Sequence, residues 1–314
     1  MSALRPGDAV LVTGAAGLIG GWIIDHLVSH GFKVIATDLA DGESRSSVEW
    51  VSGDVCDSQF VTEVFEKYIP SGVIHCASML LFSCENVPEK AIEVNVGGTR
   101  NMLDAAVRMR CERFIYLSTS AVYGAQVGVL KEDALIGAPH GLLGVYSATK
   151  WLAERLGLAA NKTSGLQFVA FRPGFVFGLG VPKSAGMSDV IQRMYKALLC
   201  GERYEVKEAS GKEEWHFVHV SEICAAALAA LTVQSDPTGI YNLAGRPDMY
   251  VSLDRFIDEV GKSAGHKAHG SLTGSATSGP FLDLHNITER VGFSPTISIS
   301  EAVRRDRQVL EIGR

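Results

Sequence analysis

Short apolar runs and longer amphipathic ones alternate along the first half of the chain. Val10-Leu11-Val12, Lys33 to Thr37, Val48 to Ser52, Gly72 to Cys76 and Arg113 to Leu117 are brief and bounded by turn residues, the texture of strands buried on both faces. Between them lie helical patterns: one beginning near Leu18, one from about Ser58 to Tyr68 closed by Pro70, one from about Val87 to Arg110, and one from Tyr146 through Leu158. This alternation predicts an α/β fold built on a doubly wound parallel sheet. Phe168 to Arg172 and Val218 to Val220 are expected to supply its last strands. Gly174 to Glu214 and about Arg246 to Arg314 have a more irregular, helix-punctuated texture. The expected organisation is a sheet domain from 1–173 plus about 215–245, and a smaller, lid-like part from about 174–214 and 246–314. Gly261 to Pro280, rich in Gly, Ser, Ala and His, reads as a mobile surface segment, and the glycines of the Val87 to Arg110 helix call for close packing.

The stretch AVLVTGAAGLIG, Ala9 to Gly20, adds chemistry to this pattern. Gly14 allows a tight turn straight after the first strand, Gly17 removes a Cβ that would hold a pyrophosphate off the backbone, and Gly20 lets the following helix pack close. Free amides and the positive end of the helix dipole then face the ligand. Asp38 ends the second strand eighteen residues after Gly20, near the spacing at which a carboxylate receives an adenosine ribose. Together these predict a Rossmann-type dinucleotide site. A negative charge at Asp38 repels a 2′-phosphate, so NAD is expected over NADP, with Arg45 the one residue near enough in sequence to favour the latter. Asp54, after the third strand, is read either as an adenine contact or as a turn cap. Ala77 and Ser78 are small enough to let a ligand approach the end of the fourth strand. Met79 to Cys84 (MLLFSC) reads first as core packing and second as an apolar pocket wall.

Tyr146 and Lys150 stand at i and i+4 on one helical face. An ammonium beside a phenol lowers its pKa, so Tyr146 is expected to be tuned toward neutrality as a proton donor and acceptor. Ser118-Thr119-Ser120, at the end of the fifth strand, offers hydroxyls for a substrate or for a turn.

Composition narrows the classes. The 314 residues are 46% hydrophobic and 20% charged, with a net charge of −6, which gives no basic face for nucleic acid. The opening MSALRPGD is too polar for a secretory signal, and the nearest approach to a membrane span, Ile223 to Val233, reads as a buried helix. Six cysteines without a CxxC pair point to reduced thiols in a cytoplasmic protein and to no metal site. His266 and His269 lack an acidic or cysteine partner nearby.

TGAAGLIG, Asp38, HCAS, STSAVYG, YSATK and RPGFVFG occur in an order and spacing that resemble the extended short-chain dehydrogenase/reductases, specifically the NAD-dependent epimerase/dehydratase family, over about residues 8 to 246. The resemblance implies that Tyr146 is the catalytic acid/base, that Lys150 holds the nicotinamide ribose and tunes it, and that Thr119 bonds the reacting oxygen. It implies that Gly14, Gly17, Leu18, Ile19 and Gly20 border the pyrophosphate, Asp38 the ribose, Asp54 and Val55 the adenine, and Ala77 the cofactor's edge. Asn95 matches a family asparagine with a more structural role. Ser78, Leu80, Thr119, Ser120, Phe175 and Trp215 are the expected substrate contacts. A homodimer paired through helices such as Trp151 to Leu158 is also implied.

Departures from the family pattern bear on the substrate. Ser120 and Ala121 stand where 4,6-dehydratases carry an Asp-Glu pair, so dehydration is not expected. Phe175 replaces an asparagine, and Trp215-His216 an Arg-Asp pair, of nucleotide-sugar epimerases, leaving Arg193 or Arg246 as substitutes for a diphosphate contact. The expected function is therefore hydride transfer at a secondary alcohol of a sugar-related or small hydroxylated substrate, as epimerase or dehydrogenase. A UDP-sugar 4-epimerase is the alternative, and a non-catalytic NAD-binding redox sensor the alternative of another class.

Overall fold

The computed structural model describes residues 3–137, 141–142, 144–180 and 187–312. Strands β1 (Ala9–Thr13), β2 (Lys33–Asp38), β3 (Val48–Ser52), β4 (Gly72–His75) and β5 (Arg113–Leu117) follow the apolar runs closely. After β6 (Val129–Leu130) come β7 (Gln167–Pro173), β8 (Phe175–Phe177), β9 (Tyr204–Val206), β10 (Glu214–His219) and β11 (Gly239–Leu243). The last three are β12 (Tyr250–Ser252), β13 (Gly270–Leu272) and β14 (Phe281–Leu282).

Seven strands form one sheet in the order β11-β7-β5-β4-β1-β2-β3, and every pairing in it is parallel. The order reverses between β1 and β4, which opens a crevice at their C-terminal ends. Helix α1 (Leu18–Ser29) and, further along the chain, Val220–Thr232 cover one face; α2 (Ser58–Tyr68) lies on the other. Val10 and Val12 belong to the first layer and Leu11 to the second, so every residue of the run is buried. This two-sided burial is why the strand reads as a continuous apolar run.

The pattern expected as one helix from Val87 to Arg110 is α4 (Pro88–Ile92) and α5 (Thr99–Arg108), which follow the short α3 (Leu81–Asn86), joined by a π-helical turn at Glu93–Gly98. Close packing holds at Gly98, where a Cβ would meet Val55 at 2.8 Å, and not at Gly97, which has open space. The wider π turn carries Asn95, which is buried.

Helix α6 (Gly144–Ser164) lies beside α5, and α7 (Met187–Cys200) beside the later α9 (Leu253–Ala264). Between those two comes α8 (Val220–Thr232), and the chain closes with α10 (His285–Val291) and α11 (Ile299–Ile312). The expectation that Val218 to Val220 extends the main sheet is corrected. Val218 lies in β10, which pairs with β8 and β12 in a separate three-stranded sheet; Val220 begins α8; and the outer strand of the main sheet is β11. A three-residue apolar run does not encode its partner. Val218 joins the core of the large sheet, whereas Trp215 and Phe217 join the second core, so β10 forms the seam between them.

Gly261 to Pro280 is also more ordered than its composition implies. It completes α9 and supplies β13, which pairs with β9, and a Cβ on Gly270 would lie 2.4 Å from the Tyr204 carbonyl. Glycine there permits strand contact as well as freedom.

Beneath the crevice, Glu154 of α6 takes a two-toothed bond from Arg172 of β7, at 2.9 and 2.8 Å, and accepts the Ser118 hydroxyl at 2.6 Å. Both charged side chains are almost completely buried. Removing one partner strands the other charge, so Glu154→Ala is expected to cost about 3–5 kcal/mol in urea unfolding, and the double variant Glu154→Ala/Arg172→Leu to recover part of it. A single-variant loss under about 1 kcal/mol would refute that reading.

Candidate active site

The turn after β1 lies directly on the end of β4. Gly14 has φ +65°, and a Cβ there would stand 2.7 Å from the Ala77 nitrogen. Thr13 Oγ1 accepts the Ala77 amide at 3.1 Å and lies 2.6 Å from His75 Nδ1; His75 Nε2 continues to Thr99 Oγ1 at 3.1 Å. Gly17 donates its amide to the Gly14 carbonyl at 3.0 Å, and a Cβ on Gly20 would be 2.2 Å from the same oxygen. Gly17 is the N-cap of α1 and provides no side-chain cap, so the amide end presented by Leu18, Ile19 and Gly20 suits a phosphate.

Asp38, at the end of β2, accepts the Ala16 amide at 3.0 Å through one oxygen and the Ala40 amide at 3.1 Å through the other. Two bonds leave lone pairs on a carboxylate that has about four sites, so it fits a ribose diol. Arg45, the residue whose sequence position would favour NADP, is ion-paired with Asp25 of α1. Asp54 caps its own turn by accepting the Cys56 amide at 2.8 Å, and the neighbouring Val55 is buried. These residues fit a dinucleotide whose adenosine end lies beyond β2 and β3.

The reaction end is built by α6. Its Tyr146 is half-buried and its Lys150 buried, with Lys150 Nζ donating to the Leu117 carbonyl at 2.6 Å and lying 4.8 Å from the centre of the Tyr116 ring. The ammonium is 6.0 Å from the Tyr146 ring centre. Burial lowers the Lys150 amine to about 8. Burial likewise pushes the Tyr146 phenol up to about 12, against a lowering by the Thr119 hydroxyl. The expected tuning of Tyr146 toward neutrality is thus not met in this structure, because desolvation of the phenolate outweighs the neighbouring groups. Thr119 also accepts the Ala121 amide at 3.1 Å, capping the turn that begins at Ser120.

Asn95 holds the segment after β4 against the catalytic helix. It accepts the Met79 amide at 2.7 Å and donates to the Met79 carbonyl at 3.1 Å and the Thr149 hydroxyl at 3.0 Å. Glu85 of α3 accepts the Val145 amide at 2.7 Å, giving α6 a cap from outside its own chain segment. Leu80, Leu81 and Phe82 are exposed, which corrects the core-packing reading of MLLFSC, although Cys84 is buried. Ser78 is spent on the Met79 carbonyl at 2.9 Å. Phe175 is half-buried and stacks on Trp215, with ring centres 4.6 Å apart; Trp215 itself is only 5% exposed and bonds the Thr277 carbonyl at 3.0 Å. Trp215 therefore backs Phe175 as part of the lid core.

Sequence reasoning missed Glu154, Glu85, Tyr116 and His75 as supports of the site. Glu154 left a signal, since it falls four residues after Lys150 on the same helical face, and His75 opens the HCAS segment; Glu85 and Tyr116 left none.

A parallel sheet with a glycine turn at its switch point and a Tyr-Lys pair on the helix that crosses from β5 to β7 defines an NAD-dependent oxidoreductase of the extended short-chain dehydrogenase/reductase type. The chain belongs to the NAD dependent epimerase/dehydratase family, whose profile matches residues 10–244. It is 27% identical over 328 residues to a UDP-glucuronate 4-epimerase of Thermodesulfobacterium geofontis, covering 94% of each chain. It is 26% identical over 231 residues to a 3 beta-hydroxysteroid dehydrogenase/Delta 5-->4-isomerase of Mycobacterium tuberculosis, covering 68% of this chain and 60% of that one. Among solved structures, MoeE5 in complex with UDP-glucuronic acid and NAD superposes with a TM-score of 0.83 at 25% identity, covering 98% of this chain and 100% of the other.

Replacing Tyr146 with Phe removes the phenolic oxygen and keeps the ring. Turnover is expected to fall by about 10²–10⁴-fold. Calorimetry should find NAD affinity within about twofold of the parent, since the variant leaves the turn and Asp38 intact. Unchanged function in the variant would mark a non-catalytic sensor.

Proposed function

We propose that the chain transfers a hydride between NAD and a secondary alcohol of a sugar-related or small hydroxylated substrate. The observation that carries this reading is the convergence of Tyr146, Lys150 and Thr119 at the C-terminal end of β5, two strands from the Gly14 turn with β4 between. NAD supplies the hydride acceptor and donor. Tyr146 exchanges the hydroxyl proton, Thr119 holds the reacting oxygen, and Lys150, fixed on the Leu117 carbonyl, holds the ribose and sets the local charge. Gly14, Gly17, Leu18, Ile19 and Gly20 seat the pyrophosphate, Asp38 the ribose, and Asp54, Val55 and Ala77 border the cofactor. Ser120 and Ala121 provide no acid to expel water, so dehydration is not part of the reading.

The lid is read as residues 174–214 and 246–314, closing the substrate between itself and the sheet domain of 1–173 and about 220–245, with β10 as the seam between them. Leu80, Phe175 and Ser120 are the nearest candidates for its contacts, with Ser78 and Trp215 as supports. Arg193 pairs with Asp189 at 3.0 Å, and Arg246 pairs with Asp248 at 3.0 Å. Both pairs involve exposed arginines and are weak, so the preference for a substrate without a nucleotide diphosphate rests on Phe175 and Trp215-His216. UDP-sugar 4-epimerisation is the second reading, favoured by the substrates named for the relatives above. Exposed Ile92 of α4 and Leu152 of α6 support a homodimer through these helices. Among the described residues no helix is long and apolar enough to cross a membrane, and the six free thiols support a cytoplasmic setting.

Incubation with UDP-glucose and UDP-glucuronate separates the two readings: neither should be epimerised, and conversion of either would establish the second. The pH dependence tests the proton step. A phenol near 12 is almost wholly protonated at neutral pH, so alcohol oxidation should rise by up to about tenfold per pH unit. The rise should flatten above about 8, where Lys150 gives up its proton. A rate independent of pH across that range would contradict Tyr146 as the base.

A further inference from the structure

A buried polar chain that none of these steps uses joins the two cores. Beyond β8 the backbone runs through Gly178, Leu179 and Gly180. Trp22, on α1, donates its indole N–H to the Leu179 carbonyl at 2.7 Å. The Leu179 amide donates in turn to Asp306 Oδ2 of α11 at 3.0 Å. That oxygen also lies 3.2 Å from Nε2 of His219, whose Nδ1 is 2.7 Å from the Ser221 hydroxyl. The His219 and Asp306 side chains are completely buried, and Trp22 packs edge-on against the His219 ring with centres 5.5 Å apart.

Leu179 is thus gripped from both sides, by α1 at its carbonyl and by α11 at its amide. The glycines beside it let the segment lie close. At Gly178, with φ +147°, a Cβ would come within 2.6 Å of Val220 Cγ1; at Gly180 it would come within 2.3 Å of Leu18 Cδ1. Leu18 is the first residue of α1, at the end that seats the pyrophosphate. Simple packing would be served as well by an apolar residue at 306. Instead the chain buries a carboxylate that accepts the Leu179 amide and lies against the His219 ring and the Tyr195 hydroxyl. A buried carboxylate is costly unless it is paired and hydrogen-bonded, and the partners of this one fix the Leu179 backbone in place.

We propose that Leu179-Gly180 is a strap across the N-terminal end of α1, tied down by Trp22 and Asp306, that retains bound NAD and slows its release. Trp22 and Asp306 are positioning residues in this account: neither touches the reacting atoms. The inference rests on the seat of the cofactor and is independent of which alcohol is oxidised.

The test is the dissociation rate of NAD, followed by displacement with excess unlabelled cofactor, alongside the melting temperature of the cofactor-free protein. Trp22→Phe keeps an aromatic ring and loses the bond to Leu179; it should speed release by about fivefold to tenfold. Asp306→Ala should do at least as much, whereas Asp306→Asn, which retains an acceptor for the Leu179 amide, should stay within about twofold of the parent. Release from Trp22→Phe at the parental rate would overturn the proposal. Equal acceleration by Asp306→Asn and Asp306→Ala would overturn it too, since the buried charge and not the grip on Leu179 would then be responsible.

Discussion

The close approach of two turns at the top of the sheet is the constraint on which the rest of this molecule depends. The chain leaves β1 through Gly14 so tightly that its α-carbon faces the backbone of Cys76 and Ala77 at the end of β4, with no room for a side chain. Only a glycine at positive φ allows both. That contact fixes where α1 begins, and therefore where its uncapped amides point. It also brings the Ala16 amide onto Asp38, so the proposed phosphate seat and ribose carboxylate are placed by one turn. Substitution at Gly14 would disturb packing and cofactor geometry together, which sets it apart from the more tolerant glycines of the surface.

The reaction end is held by buried polar groups instead of by glycine. Thr13, His75 and Thr99 tie β1, β4 and α5 into one hydrogen-bonded row beneath the crevice, and burial lowers His75 to about 3, so it is neutral at working pH. Ser118, Glu154 and Arg172 do the same for β5, α6 and β7. Tyr146 and Lys150 sit between these two rows. Burial displaces both ionisations toward their neutral forms, yet at neutral pH the phenol near 12 is uncharged while the amine near 8 still carries most of its positive charge.

The first six strands and helices of the sheet domain were legible because each carries its own signal: a buried strand is apolar on both faces, and α2 has an N-cap and a closing proline. The Gly14 turn, Asp38 and the Tyr146–Lys150 pair were legible because their chemistry depends on spacing along a single element or a single crossover. What escaped was set by contacts far apart in sequence. Nothing in Phe217-Val218-His219 says that the strand pairs with Phe175 to Phe177 and not with the main sheet. The π turn at Asn95 coincides with packing of Gly98 on Val55 and with the side chain's bonds to Met79, neither of which has a local pattern. The exposure of Leu80 to Phe82 and the raised ionisation of Tyr146 likewise follow from tertiary burial, which periodicity does not report.

Titration of NAD and of NADP into the parent protein and an Asp38→Ala variant tests the central claim most directly, that the crevice between β1 and β4 seats the cofactor with its ribose on Asp38. The account predicts one NAD per chain in the parent, clear discrimination against NADP, and in the variant at least about tenfold weaker NAD binding with that discrimination largely lost. Equal NAD affinity in the two proteins, with NADP still refused, would contradict it.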